Sequence, residues 1–490
     1  MTDRLTRLAD VTGPAERPGY EPGAHGVGIV HLGLGAFHRA HQAVMTDAAL
    51  ARGGGDWRIT GVSLRSRDVA DALGPQNGLY TLIERDADGA RARVIGSIAR
   101  VIAADPAATL SALCDPGMRI VTLTVTEKAY GIDRATGAPD LKHPAIAADL
   151  ARPDAPSGVL GLLTAALGRR RAEGMPPFTV LCCDNLPSNG AFLRGGVIGF
   201  ARLSDPSLAE WIAREVAFPS SMVDRITPAP TEATLNDAET LTGCTDEAAI
   251  ETEPFIQWVI EDTFPQGRPD WEAGGAVFTD DVEPFERMKL RMLNGAHSML
   301  AYAGHLSGHA LVRDVMGDAA LAALVARHLR AAAATLGALE GTDFSLYARD
   351  LEARFRNPAI AHATYQIAMD GTEKLPQRIW SPAIDALEAG QDIAPFAFAT
   401  AAWMRYCLGA DENGETYALR DPREAEIGAA LKDVPREAKA VSAALHGLPG
   451  LIPETLCDHE SWRAAVKGAL ALMLERGMAE AVRAEADRPA

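Results

Sequence analysis

The chain lacks a CxxC pair, an uncharged apolar run of membrane-spanning length, a high aromatic content and an excess of positive charge, and each absence excludes something. Six cysteines (Cys114, Cys182, Cys183, Cys244, Cys407, Cys457) scattered through 490 residues make neither a disulfide framework nor a zinc ribbon. No apolar stretch approaches the roughly 18 residues that a membrane helix needs. Lys and Arg number 47 against 65 Asp and Glu, a net charge of -18. Nucleic-acid partners reward clustered cations, so this balance argues against them. The opening stretch, Met1–Gly13, carries Asp3, Arg4, Arg7 and Asp10 without an apolar core and does not read as a signal peptide. The expectation is a soluble, cytoplasmic protein with free thiols, no nucleic-acid partner and no membrane partner.

What remains is ordinary globular composition, 47% apolar and 23% charged. The length exceeds what one hydrophobic core serves, so two domains are expected. Short apolar runs at 28–32, 57–64, 119–126 and 178–183 alternate with helical pattern, the first helix covering about 37–52. Strand, crossover helix and strand in series predict an α/β, doubly wound, Rossmann-like N-terminal domain over 1–284. Segment 231–275 is the least regular and leaves room for extra strands. From Pro284 onward the pattern turns to Ala/Leu-rich helices, near 285–310, 318–337, 345–356, 381–389, 393–407, 436–446 and 460–484. A mainly α-helical C-terminal domain over 285–490 is expected.

Gly33-Leu34-Gly35-Ala36-Phe37-His38 follows the first strand and opens a helix, where a dinucleotide would lay its pyrophosphate on backbone N–H groups. The third glycine of the usual fingerprint is replaced by His38. Asp68, past the second strand, suits the ribose hydroxyls of NAD, whereas Arg65 and Arg67 beside it suit the 2′-phosphate of NADP. NAD is the favoured reading; a solvated loop of mixed charge is the alternative.

Within Pro284–His297, a helical wheel at about 100° per residue puts Lys289, Glu286, His297 and Asn294 on one side. A salt-bridged helix surface would show the same pattern. Without metal-ligand spacing nearby, a lysine, a histidine and an amide suit proton transfer to a carbonyl or alcohol. Asn185, at the carboxyl end of the fourth strand, offers a second amide for the developing oxyanion. His305 and His309 lack the carboxylate or cysteine that would complete a metal site, so no metal is expected. A nucleotide sensor without turnover would keep the glycine turn but has no use for the lysine helix.

These motifs, with Thr124-Val-Thr-Glu-Lys128, Cys183-Asp-Asn185 and Met222-Val-Asp-Arg-Ile-Thr-Pro228, appear together in one order. The chain resembles the polyol-specific long-chain dehydrogenase family, which includes mannitol 2-dehydrogenase, fructuronate reductase and tagaturonate reductase. The resemblance implies Lys289 as general acid/base, Asn185 and Asn294 as the oxyanion hole, and His297 as substrate-orienting. It places Glu286 and Glu127 beside the lysine, with Glu127 tied to proton exchange with solvent. Asp224 resembles an Asp near the family's active site, although a structural role is equally open. Gly33, Gly35, Ala36, Phe37, His38, Asp68 and Thr126 are the expected cofactor contacts.

The stretch 357–378, with Trp258-Val-Ile-Glu-Asp262 and Trp403–Tyr406, resembles the fructuronate reductase branch. A uronate adds a carboxylate, and Lys374 and Arg378 are the cations to meet it; a solvated charge pair is the alternative. The expected activity is NAD-dependent reduction of D-fructuronate to D-mannonate, a small-molecule sugar acid. The alternative is mannitol/fructose or another polyol or hexuronate substrate.

Overall fold

The computed structural model describes residues 3–488; Met1, Thr2, Pro489 and Ala490, which the expected domain limits and start-of-chain reading include, lie outside the described residues. The chain divides into two compact units, Met1–Glu283 and Pro284–Ala490.

The strands of the first unit are β1 (Val27–Leu32), β2 (Arg58–Ser63), β3 (Tyr80–Asp86), β4 (Gly89–Ile95), β5 (Ile98–Ala103), β6 (Ile120–Leu123), β7 (Thr179–Cys182), β8 (Ser221–Asp224), β9 (Ile250–Thr252), β10 (Gln257–Glu261) and β11 (Val277–Thr279). Five form a parallel sheet in the order β5-β2-β1-β6-β7. Both faces are covered, which is why the strands read as continuous apolar runs. Val30, Leu32, Val121, Leu123 and Val180 face helices such as Val159–Ala172 and Asn189–Ser204. Ile29, Ile59, Ile120 and Leu181 share the opposite core with Trp258 and Trp271. Strand order reverses between β1 and β6, and a doubly wound sheet opens its ligand crevice at that reversal, outside the carboxyl ends.

The helix expected over 37–52 is two, Ala36–Ala40 and Gln42–Gly53, broken at His41 (φ -126°, ψ -88°). Tertiary partners claim the break. Arg225 donates to the Ala40 carbonyl at 2.5 Å, His41 Nε2 meets the Gln257 carbonyl at 2.9 Å, and its ring packs edge-on against Trp258. Segment 231–275 does hold extra strands, β9 and β10, along with the helix Glu232–Thr242. They join two small sheets, β4-β3-β9 and β11-β10-β8.

The second unit is helical. The expected helix at 460–484 is interrupted at Gly477 (φ 88°), which separates Glu460–Arg476 from Met478–Ala486. The expected helix at 285–310 changes pitch instead. Glu283–Met288 is α-helical, Lys289–Asn294 is π-helical, and Gly295–Leu306 is α-helical again. A second π-helical turn, Pro376–Trp380, packs close by, for a Cβ on Gly295 would sit 2.9 Å from the Arg378 carbonyl oxygen. Among the described residues no helix is long and apolar enough to cross a membrane, and all six cysteines are free.

Two fully buried histidines make stability pH-dependent. Burial pushes His31 down to about 3 and His328 down to about 4. Both stay neutral in the folded chain while their unfolded counterparts, at about 6.5, take up protons. Stability is therefore full above about pH 6.5 and falls below it, by about 1.4 kcal/mol per pH unit per histidine. The melting temperature is expected to drop steadily from about pH 6.5 to about pH 5; a flat profile would show that these rings do not stay neutral.

Candidate active site

The turn after β1 is shaped by its glycines. Gly33 holds φ 98°, and a Cβ there would lie 2.2 Å from the Thr124 carbonyl oxygen, so only glycine fits. A Cβ on Gly35 would meet nothing nearer than 3.8 Å, which leaves one side of the turn open. The helix Ala36–Ala40 then starts without a side-chain cap, and the half-buried Ala36 and Phe37 occupy its first turn. Behind the turn, His31 is bonded to Thr122 Oγ1 at 2.8 Å and Thr124 Oγ1 at 2.9 Å. Thr124 gives its only hydroxyl proton to the Gly33 carbonyl at 3.0 Å. His31 must therefore donate through Nε2 and accept through Nδ1.

His38 is not at the turn's surface. Its ring is fully buried, stacked 3.4 Å from that of His31, and burial holds it well below the usual imidazole range. The ring therefore packs inside, so a His38 contact with a cofactor would have to come from its backbone; a sequence pattern does not tell which side of a short helix faces inward. Arg39 donates to the Ala248 carbonyl and His41 to that of Gln257, so the His-Arg-Ala-His run anchors the turn to the segment before β9 and to the start of β10. Asp68 is exposed beyond β2, at the start of the helix Asp68–Leu73, with Arg65 and Arg67 exposed beside it.

Beyond β6 and β7 the chain forms two adjoining loops. Thr126 is exposed at φ 72°, ψ 148°, a conformation that non-glycine residues rarely adopt. Glu127 makes a bidentate ion pair with Arg134. Asp184, which sequence reasoning passed over as a site residue, accepts from the backbone N–H of Val125 and Thr126 and from Tyr130 Oη. Asn185 follows it and is exposed. Asp224, 7% exposed, ends β8. Its neighbour Arg225 donates to the carbonyls of Ala40 and Glu253 and to Glu84, a structural role.

In the second unit, Lys289 and Asn294 open and close the π-helical turn, and Glu286 precedes it. A single angle of about 100° per residue does not hold across i→i+5 bonding, so the uniform wheel is corrected. Such π segments recur at functional sites. Lys289 is 7% and His297 8% exposed, while Glu286 and Asn294 are half-buried. Burial holds His297 well below the usual imidazole range, with His362, Arg354 and Arg378 adding repulsion. Its ring lies 4.5 Å from Phe355 and 5.3 Å, edge-on, from His362. His297 Nε2 and His362 Nδ1 are buried without a hydrogen-bond partner among the described residues.

Arg378, on the second π turn, donates to Ser298 Oγ at 3.2 Å, and burial pushes its guanidinium down to about 10. Among the described residues no carboxylate pairs with it. Lys374 is more occupied. It donates to the Met369 carbonyl at 2.6 Å and pairs with Asp370 at 3.6 Å, and burial and Arg378 lower it below the usual ammonium range. The structure thus brings the cations Lys374 and Arg378 near the rings of His362 and His297. His362 and Ser298 were not singled out from sequence, because neither stands at a diagnostic spacing.

The description "mannitol dehydrogenase Rossmann domain" matches residues 27–273, and "mannitol dehydrogenase C-terminal domain" matches 281–447. The chain belongs to the mannitol dehydrogenase family. Among its relatives is D-mannonate oxidoreductase of Escherichia coli (strain K12), 42% identical over 98% of this chain and 100% of that protein. Mannitol 2-dehydrogenase of Cereibacter sphaeroides is 42% identical over 88% of this chain and 91% of that one. Pseudomonas fluorescens mannitol 2-dehydrogenase, solved as a ternary complex with NAD and D-mannitol, is 36% identical over the full length of both chains, with a TM-score of 0.83. Family membership makes this chain an oxidoreductase acting on CH–OH groups of polyols or sugar acids.

Proposed function

We propose that this chain is an NAD-dependent reductase of a keto-sugar acid, interconverting D-fructuronate and D-mannonate. The observation that carries the substrate class is Arg378, a half-buried guanidinium whose one hydrogen-bond partner among the described residues is a serine hydroxyl. Partial removal of a cation from water is costly unless an anion completes it, and the carboxylate of a uronate matches its planar fork.

In this reading the first unit binds the dinucleotide and the second provides the general acid/base. The open side of Gly35 and the uncapped helix start at the strand-order reversal fit a pyrophosphate. Asp68 at the ribose favours NAD, with Thr126 and Phe37 lining the crevice. NAD(H), when bound, supplies or accepts the hydride. Lys289 gives the proton to the carbonyl oxygen during reduction and takes it back during oxidation. Asn185 and Asn294 donate to the oxygen as charge develops. His297, held neutral, hydrogen-bonds a substrate hydroxyl. Glu286 and Glu127 are the carboxylates that serve the lysine, and Glu127, which pairs with Arg134 in this structure, is the one tied to proton exchange with solvent. Asp224 meets a substrate hydroxyl.

Mannitol with fructose is the second reading. It is favoured by Lys374, whose ammonium is already satisfied by Met369 and Asp370 and leaves Arg378 as the main cation for a carboxylate. Product identification tests the choice. Incubation with NADH and fructuronate is expected to give mannonate, resolved by NMR; recovery of unchanged fructuronate alongside conversion of fructose to mannitol would favour the second reading.

A further inference from the structure

The carboxylate of Asp184 belongs to no expected role, yet it ties together the carboxyl ends of two neighbouring strands. Its Oδ1 accepts from the Thr126 N–H at 3.0 Å, and its Oδ2 from the Val125 N–H at 3.1 Å and Tyr130 Oη at 2.6 Å. Tyr130 is 1% exposed, so the third bond is made in the interior. Asp184 is itself held, since Asn189 Nδ2 donates to its carbonyl at 3.0 Å and to that of Ser221 at 2.7 Å.

What these bonds hold is a strained segment. Thr126 sits at φ 72°, ψ 148°, and a β-branched residue keeps such a conformation only where its surroundings over-determine it. The same segment forms a wall of the glycine turn. Thr124 Oγ1 donates to the Gly33 carbonyl, and the Thr124 carbonyl is the group that forbids a Cβ on Gly33. A shift of Thr124–Thr126 would therefore move one side of the crevice opened by the strand-order reversal.

We infer that Asp184 is a positioning residue: it clamps Thr126 in its strained conformation, keeps the cofactor crevice preformed, and fixes the backbone from which Asn185 projects. This inference rests on the reading that the first unit binds a nicotinamide dinucleotide. Preorganisation of this kind affects affinity, because an unclamped loop must be ordered at the moment of binding.

The test is equilibrium binding of NADH to the full chain, followed by nicotinamide fluorescence, in a double-mutant cycle. Asp184→Asn keeps the shape but turns an amide N–H toward a backbone N–H. It is expected to raise the NADH Kd by about tenfold. Glycine adopts the conformation of residue 126 without strain, so in a Thr126→Gly background the same change is expected to cost no more than about threefold. Tyr130→Phe, which removes only the hydroxyl, repeats the cycle with a milder variant should Asp184→Asn fail to fold. Equal losses in both backgrounds, or a lowered melting temperature with unchanged Kd, would overturn the clamp while leaving NAD binding intact. Failure of the wild-type chain to bind NADH would overturn both.

Discussion

Lys289→Met is expected to lower kcat in both directions by about 10²–10⁴-fold, with little change in NADH affinity. Methionine matches the length of the buried lysine stem and lacks the proton, so the fold is preserved while the proposed acid/base is removed. Lys289 is 7% exposed on a π-helical turn, an arrangement that presents it at a fixed position without a mobile loop. Oxidation requires the neutral amine. The rate of mannonate oxidation by the wild type is therefore expected to rise with pH through one ionisation, and the residual rate of the variant to lose that dependence. Stopped-flow rates of the hydride step across pH measure both. A variant that keeps more than about a tenth of the wild-type rate would remove Lys289 from the proton transfer.

The second large effect concerns Arg378. Arg378→Leu is expected to lower kcat/KM for the keto acid by about 10²-fold, mostly through KM, and to change kcat/KM for fructose by no more than a few-fold. Loss of one member of a buried charge pair typically costs about 2–5 kcal/mol, and the keto acid alone brings the second charge. The same substitution is expected to leave the melting temperature unchanged or higher. In the ligand-free chain the half-buried guanidinium is partly desolvated and bonds Ser298 Oγ without an ion-pair partner among the described residues, and an apolar side chain of similar reach does not carry that desolvation cost. Equal losses for keto acid and fructose would mean that Arg378 supports the site's structure and reads no carboxylate.

Much of this arrangement was legible in the chain itself. The parallel sheet follows from apolar runs separated by helices, and the proposed carriers of chemistry stand on motifs whose residue types have few other uses. The glycine turn is one example, since Gly33 is required by a backbone contact that no other residue permits. What was hidden was decided by tertiary partners. His38 occupies a fingerprint position, but whether its ring faces out or stacks on His31 depends on how a short helix lies on β1. The break at His41 is set by Arg225, almost two hundred residues along the sequence. The change to π-helical pitch at Lys289 carries no compositional mark, because Lys-Leu-Arg-Met-Leu-Asn is a good α-helical sequence. The β3–β4 hairpin was missed although Asp88-Gly89 is a turn signal. Asp184 was passed over for another reason: a lone carboxylate between two motif residues looks like spacing until its three donors are seen.

The central claim is that this oxidoreductase selects a keto-sugar acid by its carboxylate. Initial rates of NADH consumption by the wild-type chain, with fructuronate, tagaturonate and fructose in parallel, test it most directly. The account predicts a kcat/KM for fructuronate at least about 10²-fold above that for fructose. A kcat/KM for fructose equal to or above that for fructuronate would contradict it.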